Sequence, residues 1–223
     1  SLINKEINRE HIQIIICPAY PSLFVSDKII FNHHIDLGGQ NMSGFDKGAH
    51  TGEVSADMLV DSNCKWVIIG HSERRSLYFE SDQDINKKIK LCVKNKLSPI
   101  LCIGESLDER KSNQTTSILT NQLISALKDV SISDECELLI AYEPVWAIGT
   151  GVNADPEMII ETISIIKDAL NDIGNQFKNI SILYGGSVNT KNINQLSKIN
   201  SVDGYLIGGA SLDINEFYSI YEN

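Results

Sequence analysis

The sequence predicts an α/β protein in which helices cover a parallel β-sheet. Seven short apolar runs rich in β-branched residues recur along the 223 residues, and amphipathic helical patterns separate them. Polar and glycine residues suited to chemistry follow several of these runs, which favours a closed (β/α)8 barrel over an open doubly wound sheet. No G-x-G-x-x-G loop follows the first run, as an open nucleotide-binding sheet would favour. We expect a single domain over 1–223.

Each predicted strand is one of these apolar runs. The strands are predicted at 12–17, 35–39, 66–70, 99–104, 137–143, 180–186 and 203–209. Two helical patterns are clear, one with apolar residues at the 3.6-residue period and one begun by a capping aspartate and a proline. The first comprises Leu119, Leu123, Leu127 and Val130, and the second follows Asp155-Pro156 with Ile159, Ile163, Ile166 and Leu170.

Composition excludes several classes of function. The formal net charge of −10 disfavours a broad nucleic-acid or anionic-membrane surface, so an anionic ligand must be held by local donors. No apolar run reaches the ~18 residues of a membrane span. The five cysteines form no C-x-x-C pair, and two lie in apolar runs, which is typical of buried reduced thiols. We expect a cytoplasmic protein.

Two glycine pairs follow the last two predicted strands. YGGSV (184–188) and IGGASL (207–212) stand just ahead of helices, where backbone N–H groups and the positive helix end hold phosphates. Each pair alone is also explained by a turn that needs glycine for its backbone geometry. Their occurrence in the two final βα positions favours a phosphate site.

A histidine and a glutamate also follow predicted strands. His71 opens HSERR, where we expect the first turn of a helix, whose positive end favours a neutral imidazole. Glu143 ends ELLIAYE and leads into PVWAIGTG (144–151), an unusually apolar loop. A structural role is the alternative for the histidine. Together the two side chains fit proton abstraction beside a carbonyl, with the glutamate as base and the imidazole polarising the oxygen.

Five segments resemble the triosephosphate isomerase family in the same order and at similar spacing. They are QNMSGFDKGAHTGEVSADML (40–59), HSERR, AYEPVWAIGTG, YGGSV and IGGASL. The resemblance implies a TIM barrel and interconversion of dihydroxyacetone phosphate and glyceraldehyde 3-phosphate through an enediolate, a step of glycolysis and gluconeogenesis. It implies no metal and no organic cofactor. This family is the standard example of a glutamate base paired with a neutral histidine.

The resemblance assigns roles residue by residue. Glu143 matches the base and His71 the electrophile, and Glu73 matches a carboxylate that supports the residues contacting substrate. The phosphate-binding positions are matched by Gly149, Ser187, Gly208 and Gly209. The lid is matched by Pro144, Val145, Trp146, Ala147, Ile148, Gly149, Thr150 and Gly151. Its proline and its GTG are expected hinges, and its apolar body is expected to exclude water. The alternative is a rigid loop with one packed tryptophan.

The resemblance also implies that the complete protein is a homodimer, in which the loop at 41–53 docks into a second subunit; a solvated surface loop is the alternative. The sequence departs from the family at its beginning, where an N-x-K segment after the first strand would supply a substrate-binding lysine. We therefore expect a barrel without the first strand and most of the first helix, with 12–17 and 203–208 as its two edges. The chain is then a fragment, a minimal isomerase, or a non-catalytic phosphate-binding barrel.

Overall fold

The computed structural model describes residues 12–130, 136–148, 154–174, 177 and 179–223. Strands and helices alternate along this part of the chain. The strands are β1 (Ile14–Ile16), β2 (Ile35–Gly39), β3 (Trp66–Ile69), β4 (Ser98–Ile103), β5 (Leu138–Tyr142), β6 (Ile180–Tyr184) and β7 (Gly204–Tyr205). The α-helices are α1 (Leu23–Ile30), α2 (Ala56–Asp61), α3 (Ser72–Leu77), α4 (Asp82–Lys94), α5 (Leu107–Lys111), α6 (Thr115–Leu127), α7 (Pro156–Asp172), α8 (Ile193–Leu196) and α9 (Ile214–Tyr221).

All seven predicted strands are confirmed, and they lie in one sheet in sequence order from β1 to β7. Neighbouring strands run parallel, with Ile14 opposite Ile35 in the first pair and Leu183 opposite Gly204 in the last. The runs at 12–17 and 203–209 form strands of only three and two residues. Each is at one end of the strand order, as predicted, so among the described residues it has a ladder partner on one side only.

The described residues form two compact units. The first contains the described residues up to Leu101 and those between Ala126 and Leu138. The second contains those between Cys102 and Ser125 and those from Leu139 onwards, so both β4 and β5 contribute to each unit. Every residue of these two strands is buried. Continuous burial is typical of parallel strands covered on both faces, and it explains why these strands appear in the sequence as unbroken apolar runs. The prediction of a single domain stays a prediction.

The first helical pattern is confirmed as α6 up to Leu127, where the helix ends before Val130, and the second is confirmed as α7. Leu119 and Leu123 of α6 are fully buried. Asp155 is the N-cap of α7: its carboxylate accepts a hydrogen bond of 2.9 Å from the backbone N–H of Glu157. Pro156 occupies the first helical position, where its missing N–H costs no hydrogen bond. Local capping chemistry therefore places the beginning of α7.

The five cysteines are free thiols, and all but the partly exposed Cys17 are buried. Burial raises the pKa of Cys17 to about 12 and that of Cys64 to about 11, so both thiols are protonated at neutral pH. Among the described residues, no helix is both long and apolar enough to cross a membrane.

Candidate active site

The predicted site residues divide between the two units. His71 and Glu73 belong to the first unit, whereas Glu143, the lid residues, Ser187 and the last glycine pair belong to the second. Each predicted site residue within the described chain follows a strand or lies at the beginning of a helix after one. These are the carboxyl ends of parallel strands, where barrel enzymes place their chemistry.

Glu143 follows the last residue of β5 and is 2% exposed. Its backbone N–H donates to the carbonyl of Ile103 at 2.7 Å, which continues the pairing between strand ends. A carboxyl group so removed from water is unusual, because glutamate side chains are mostly exposed. The sequence prediction that Glu143 terminates a buried strand is confirmed.

Two glycines lie directly against Glu143. A Cβ atom added to Gly104 would lie 1.7 Å from the carbonyl oxygen of Glu143, and one added to Gly185 would lie 2.9 Å from its Cγ. Glycine at position 104 leaves room for the backbone of Glu143, and glycine at position 185 leaves room for its side chain. Both glycines were visible in the sequence at strand ends, but their common contact with Glu143 was not.

The described part of the predicted lid is Pro144–Ile148. Val145–Ala147 form a short 3-10 helix that follows Pro144. Ala147 is fully buried, whereas Val145 is exposed. The hydroxyl of Ser187 donates to the carbonyl of Ala147 at 2.7 Å. The remaining predicted lid residues, Gly149, Thr150 and Gly151, lie outside the described residues.

A buried ion pair supports the lid segment. Glu105 is fully buried, and its Oε1 atom accepts from Arg110 at 2.9 Å, from Tyr142 at 3.1 Å and from the indole of Trp146 at 3.2 Å. Its backbone carbonyl accepts from the N–H of Val145 at 3.1 Å. Burial and the Glu105 carboxylate raise the pKa of the Tyr142 hydroxyl, which keeps it protonated as a donor.

His71 is the N-cap residue of α3 rather than part of its first turn, because the helix begins one residue later than expected, at Ser72. Its Nδ1 atom accepts a hydrogen bond of 3.3 Å from the backbone N–H of Glu73. A ring nitrogen that accepts carries no proton, so this geometry corresponds to a neutral imidazole with its proton on Nε2. The glutamate carboxylate is largely exposed, and one of its oxygens lies 3.8 Å from the same Nδ1.

The two predicted phosphate turns differ in their surroundings. Ser187 is part of a turn fixed by Asn192, whose amide donates to the Ser187 carbonyl at 2.7 Å and accepts from the N–H of Asn189 at 2.9 Å. Gly208 and Gly209 are exposed, and a Cβ at either would meet no atom within 4 Å among the described residues. Among the described residues, these two glycines are therefore more exposed than the turn at Ser187.

Sequence reasoning assigned no role to Glu105, Arg110, Tyr142 or Asn192, although Glu105 directly follows the predicted strand at 99–104. These residues act through partners that the chain brings together by folding. A weak signal was present in Asn192, because an asparagine shortly after a glycine turn and before a helix is suited to bind the turn backbone. Among the described residues, no group of acidic, histidine and cysteine side chains is arranged to hold a metal ion.

Several known proteins are similar to this chain in sequence and fold. A family model described as triosephosphate isomerase matches residues 1–223. The triosephosphate isomerase of Endomicrobium trichonymphae is 42% identical over 208 residues, covering 93% of this chain and 83% of its own, and that of Hahella chejuensis is 44% identical over 215 residues, covering 95% and 85%. The crystal structure of triosephosphate isomerase from Bartonella henselae matches with a TM-score of 0.84 and 37% identity, over 93% of this chain and 84% of that one. The α/β fold with seven parallel strands agrees with that neighbour, and the chain belongs to the triosephosphate isomerase family.

Proposed function

We propose that this protein interconverts dihydroxyacetone phosphate and glyceraldehyde 3-phosphate by proton transfer through an enediolate. The observation that carries the proposal is Glu143, a carboxylate 2% exposed at the end of β5 in a member of this family. A base that is shielded from water and held by its backbone is suited to remove a proton from carbon beside a carbonyl. Glu143 is the proposed base.

The proposed electrophile is His71. Its Nδ1 accepts from the backbone, so the neutral ring has one N–H, on Nε2, to donate to a substrate oxygen. As the proton leaves carbon, negative charge develops on that oxygen, and a preorganised donor stabilises it. The proposed supporting role of Glu73 is consistent with the hydrogen bond from its own backbone N–H to this ring.

The substrate phosphate is proposed to bind at Ser187, Gly208 and Gly209, with Gly149 of the lid. Neither glycine turn, 184–188 or 207–212, contains a lysine or arginine, so backbone N–H groups would be the principal donors. The lid, residues 144–151, is proposed to exclude water during turnover, because its body is Val145, Trp146, Ala147 and Ile148. Exclusion matters because a solvated enediol phosphate can lose its phosphate before it is reprotonated.

The proposal is tested by comparing the purified chain with its Glu143→Gln variant in both reaction directions. Loss of the base should lower turnover by about 10³-fold, within the range attributed to general acid–base catalysis. Binding of dihydroxyacetone phosphate should remain, because the glutamine keeps the shape of the side chain. The variant also measures any contaminating host enzyme. Equal turnover in the two proteins would remove Glu143 from the mechanism.

The second candidate function is that of a non-catalytic phosphate-binding barrel, and the same experiment distinguishes it from the proposed isomerase. That alternative is motivated by the absence of a basic residue from the lid and from both glycine turns. Binding of dihydroxyacetone phosphate without turnover in either protein would support it. Turnover that depends on Glu143 would exclude it.

We also propose a homodimer formed through the loop at 41–53. Met42 at its base is fully buried, and the N–H of Ser43 donates to Val54 at 2.7 Å, which closes the loop. Phe45 is 56% exposed and stacks on His50 with ring centroids 4.1 Å apart. A closed base with an exposed aromatic tip is suited to insertion into a second subunit.

Light scattering during size-exclusion chromatography tests the dimer. A dimer would elute at twice the monomer mass of 24.7 kDa, and Phe45→Asp should shift the elution towards the monomer mass. A wild-type chain that is monomeric at micromolar concentration would contradict the proposal.

We further propose a cytoplasmic location, which is supported by the five free thiols. Cell fractionation that recovers the protein outside the cytoplasm would exclude this location.

A further inference from the structure

The side chain of Gln122, on α6, pairs with the backbone at the end of β4. Its Oε1 atom accepts from the N–H of Gly104 at 2.9 Å, and its Nε2 atom donates to the carbonyl of Gly104 at 3.0 Å. Two parallel hydrogen bonds from one amide group fix both the position and the orientation of the peptide units that they bind. The glutamine thus acts on Gly104 as a neighbouring strand would.

Gly104 in turn lies against the backbone of Glu143. A Cβ on Gly104 would be 1.7 Å from the Glu143 carbonyl oxygen and 2.7 Å from its carbonyl carbon, so the two residues are in direct contact. The preceding residue, Ile103, accepts the Glu143 N–H at 2.7 Å. Residues 103–104 therefore contact Glu143 at both its N–H and its carbonyl, and a shift of Gly104 is transmitted to it.

We propose that Gln122 is a positioning residue for Glu143, acting through Gly104. The inference rests on the proposed function insofar as Glu143 is the base. A base must be held within a fraction of an ångström of its productive position, and a displacement of 1 Å by a remote substitution lowers rates by up to about 10²-fold. A glutamine that only closes the end of β4 would instead contribute to stability alone.

The substitution Gln122→Met separates these two roles. Methionine keeps the length and approximate volume of the side chain but removes both hydrogen bonds to Gly104. We expect kcat to fall by about 10-fold, a partial misplacement of the base, while KM changes by less than about 3-fold. KM should hold because the two hydrogen bonds of Gln122 involve no residue of the proposed phosphate turns. The matched control is Gln83→Met on α4, where the glutamine is exposed and the kinetics should not change.

A second measurement does not depend on turnover. Amide hydrogen exchange, followed by nuclear magnetic resonance, reports how firmly the Glu143 N–H is held. In Gln122→Met this amide should exchange at least about 10-fold faster, whereas the buried helical amide of Ile163 in α7 should change little. If the wild-type chain lacks turnover, the proposed function fails, and the exchange data still decide whether Gln122 positions Glu143.

A second variant keeps the test decisive if the methionine variant does not fold. Gln122→Glu still accepts from the Gly104 N–H, but its ionised carboxylate has no proton to donate to the Gly104 carbonyl. It should show the same lowered kcat and the same faster exchange at Glu143. Variants with lowered stability, unchanged kcat and equal changes at Glu143 and Ile163 would show a purely structural glutamine and overturn the inference.

Discussion

Removing Arg110 should strongly destabilise the second unit, because it leaves a buried carboxylate without its cation. The Glu105 side chain is fully buried, and that of Arg110 is 14% exposed, so solvent screens the pair little. In Arg110→Met, Oε1 of Glu105 would keep only the neutral donors Tyr142 and Trp146. Its Oε2 atom is buried and accepts no hydrogen bond from the described residues.

Breaking a buried ion pair by removing one partner costs about 3–5 kcal/mol, and we expect this range for Arg110→Met. Loss of the contact between the guanidinium and the Trp146 ring, 5.7 Å from the centroid, adds about 0.5–1 kcal/mol. Adding Glu105→Gln to the variant removes the uncompensated charge and keeps an oxygen for Tyr142 and Trp146. The double variant should therefore recover most of the loss.

Urea-induced unfolding, followed by circular dichroism, measures the free energy of unfolding of each variant. Midpoints are compared once the dependence of this free energy on urea concentration is found to be equal. Lys111→Met is the matched control, because that lysine is adjacent and exposed, and its effect should stay within about 0.5 kcal/mol. A cost below about 1 kcal/mol for Arg110→Met would refute the reasoning. So would a double variant no more stable than the single one.

Two further predictions concern the first unit. His71→Gln should lower turnover by about 10², the scale for one preorganised donor to a developing oxyanion; steady-state kinetics that show a change in KM alone would limit His71 to binding. Burial acts to raise the pKa of Asp36, but hydrogen bonds, the strongest from Lys65, outweigh it and hold the pKa below its usual value. Asp36 therefore stabilises the fold above its ordinary pKa, and this stabilisation is lost as pH falls through the folded value. Asp36→Asn should be less stable than wild type at pH 7, and the two stabilities should converge in acid. A stability difference that stays constant across pH would contradict this, with Asp61→Asn, at the exposed last residue of α2, as control.

Elements controlled by local sequence were predictable, and those that depend on distant partners were not. Asp155-Pro156 placed the beginning of α7 because a cap and an N1 proline act on adjacent residues. The apolar runs predicted β4 and β5 because parallel strands are buried on both faces. The strands at 12–17 and 203–209 were predicted too long. The length of a strand depends on its pairing partner, which hydropathy does not encode.

The candidate site shows the same division. Glu143 and His71 were found because each follows a strand, which a sequence reports directly. The partnership of Trp146 with Glu105 spans 41 residues, and that of Gln122 with Gly104 spans 18. Neither spacing has a periodicity that identifies it, because the contact depends on how a helix or loop packs back on the strand ends. Trp146 was predicted as part of a water-excluding lid, and its hydrogen bond to a buried carboxylate was missed.

That hydrogen bond bears on how the lid segment can move. The described lid residues are tied to the rest of the unit at Val145 and Trp146, which both donate to Glu105, and at Ala147, which accepts from Ser187. Neutral hydrogen bonds contribute about 0.5–1.5 kcal/mol each and those to a charged group about 1.5–3, so releasing all three costs a few kcal/mol unless new partners replace them. Ser187 is also a proposed phosphate ligand, and its hydroxyl has one proton, which it now donates to Ala147. A phosphate dianion can only accept, so a hydroxyl that binds it must first give up the lid carbonyl. If Ser187 binds phosphate through this hydroxyl, occupation of the phosphate site and release of Ala147 are one event, and substrate binding supplies the free energy for lid movement.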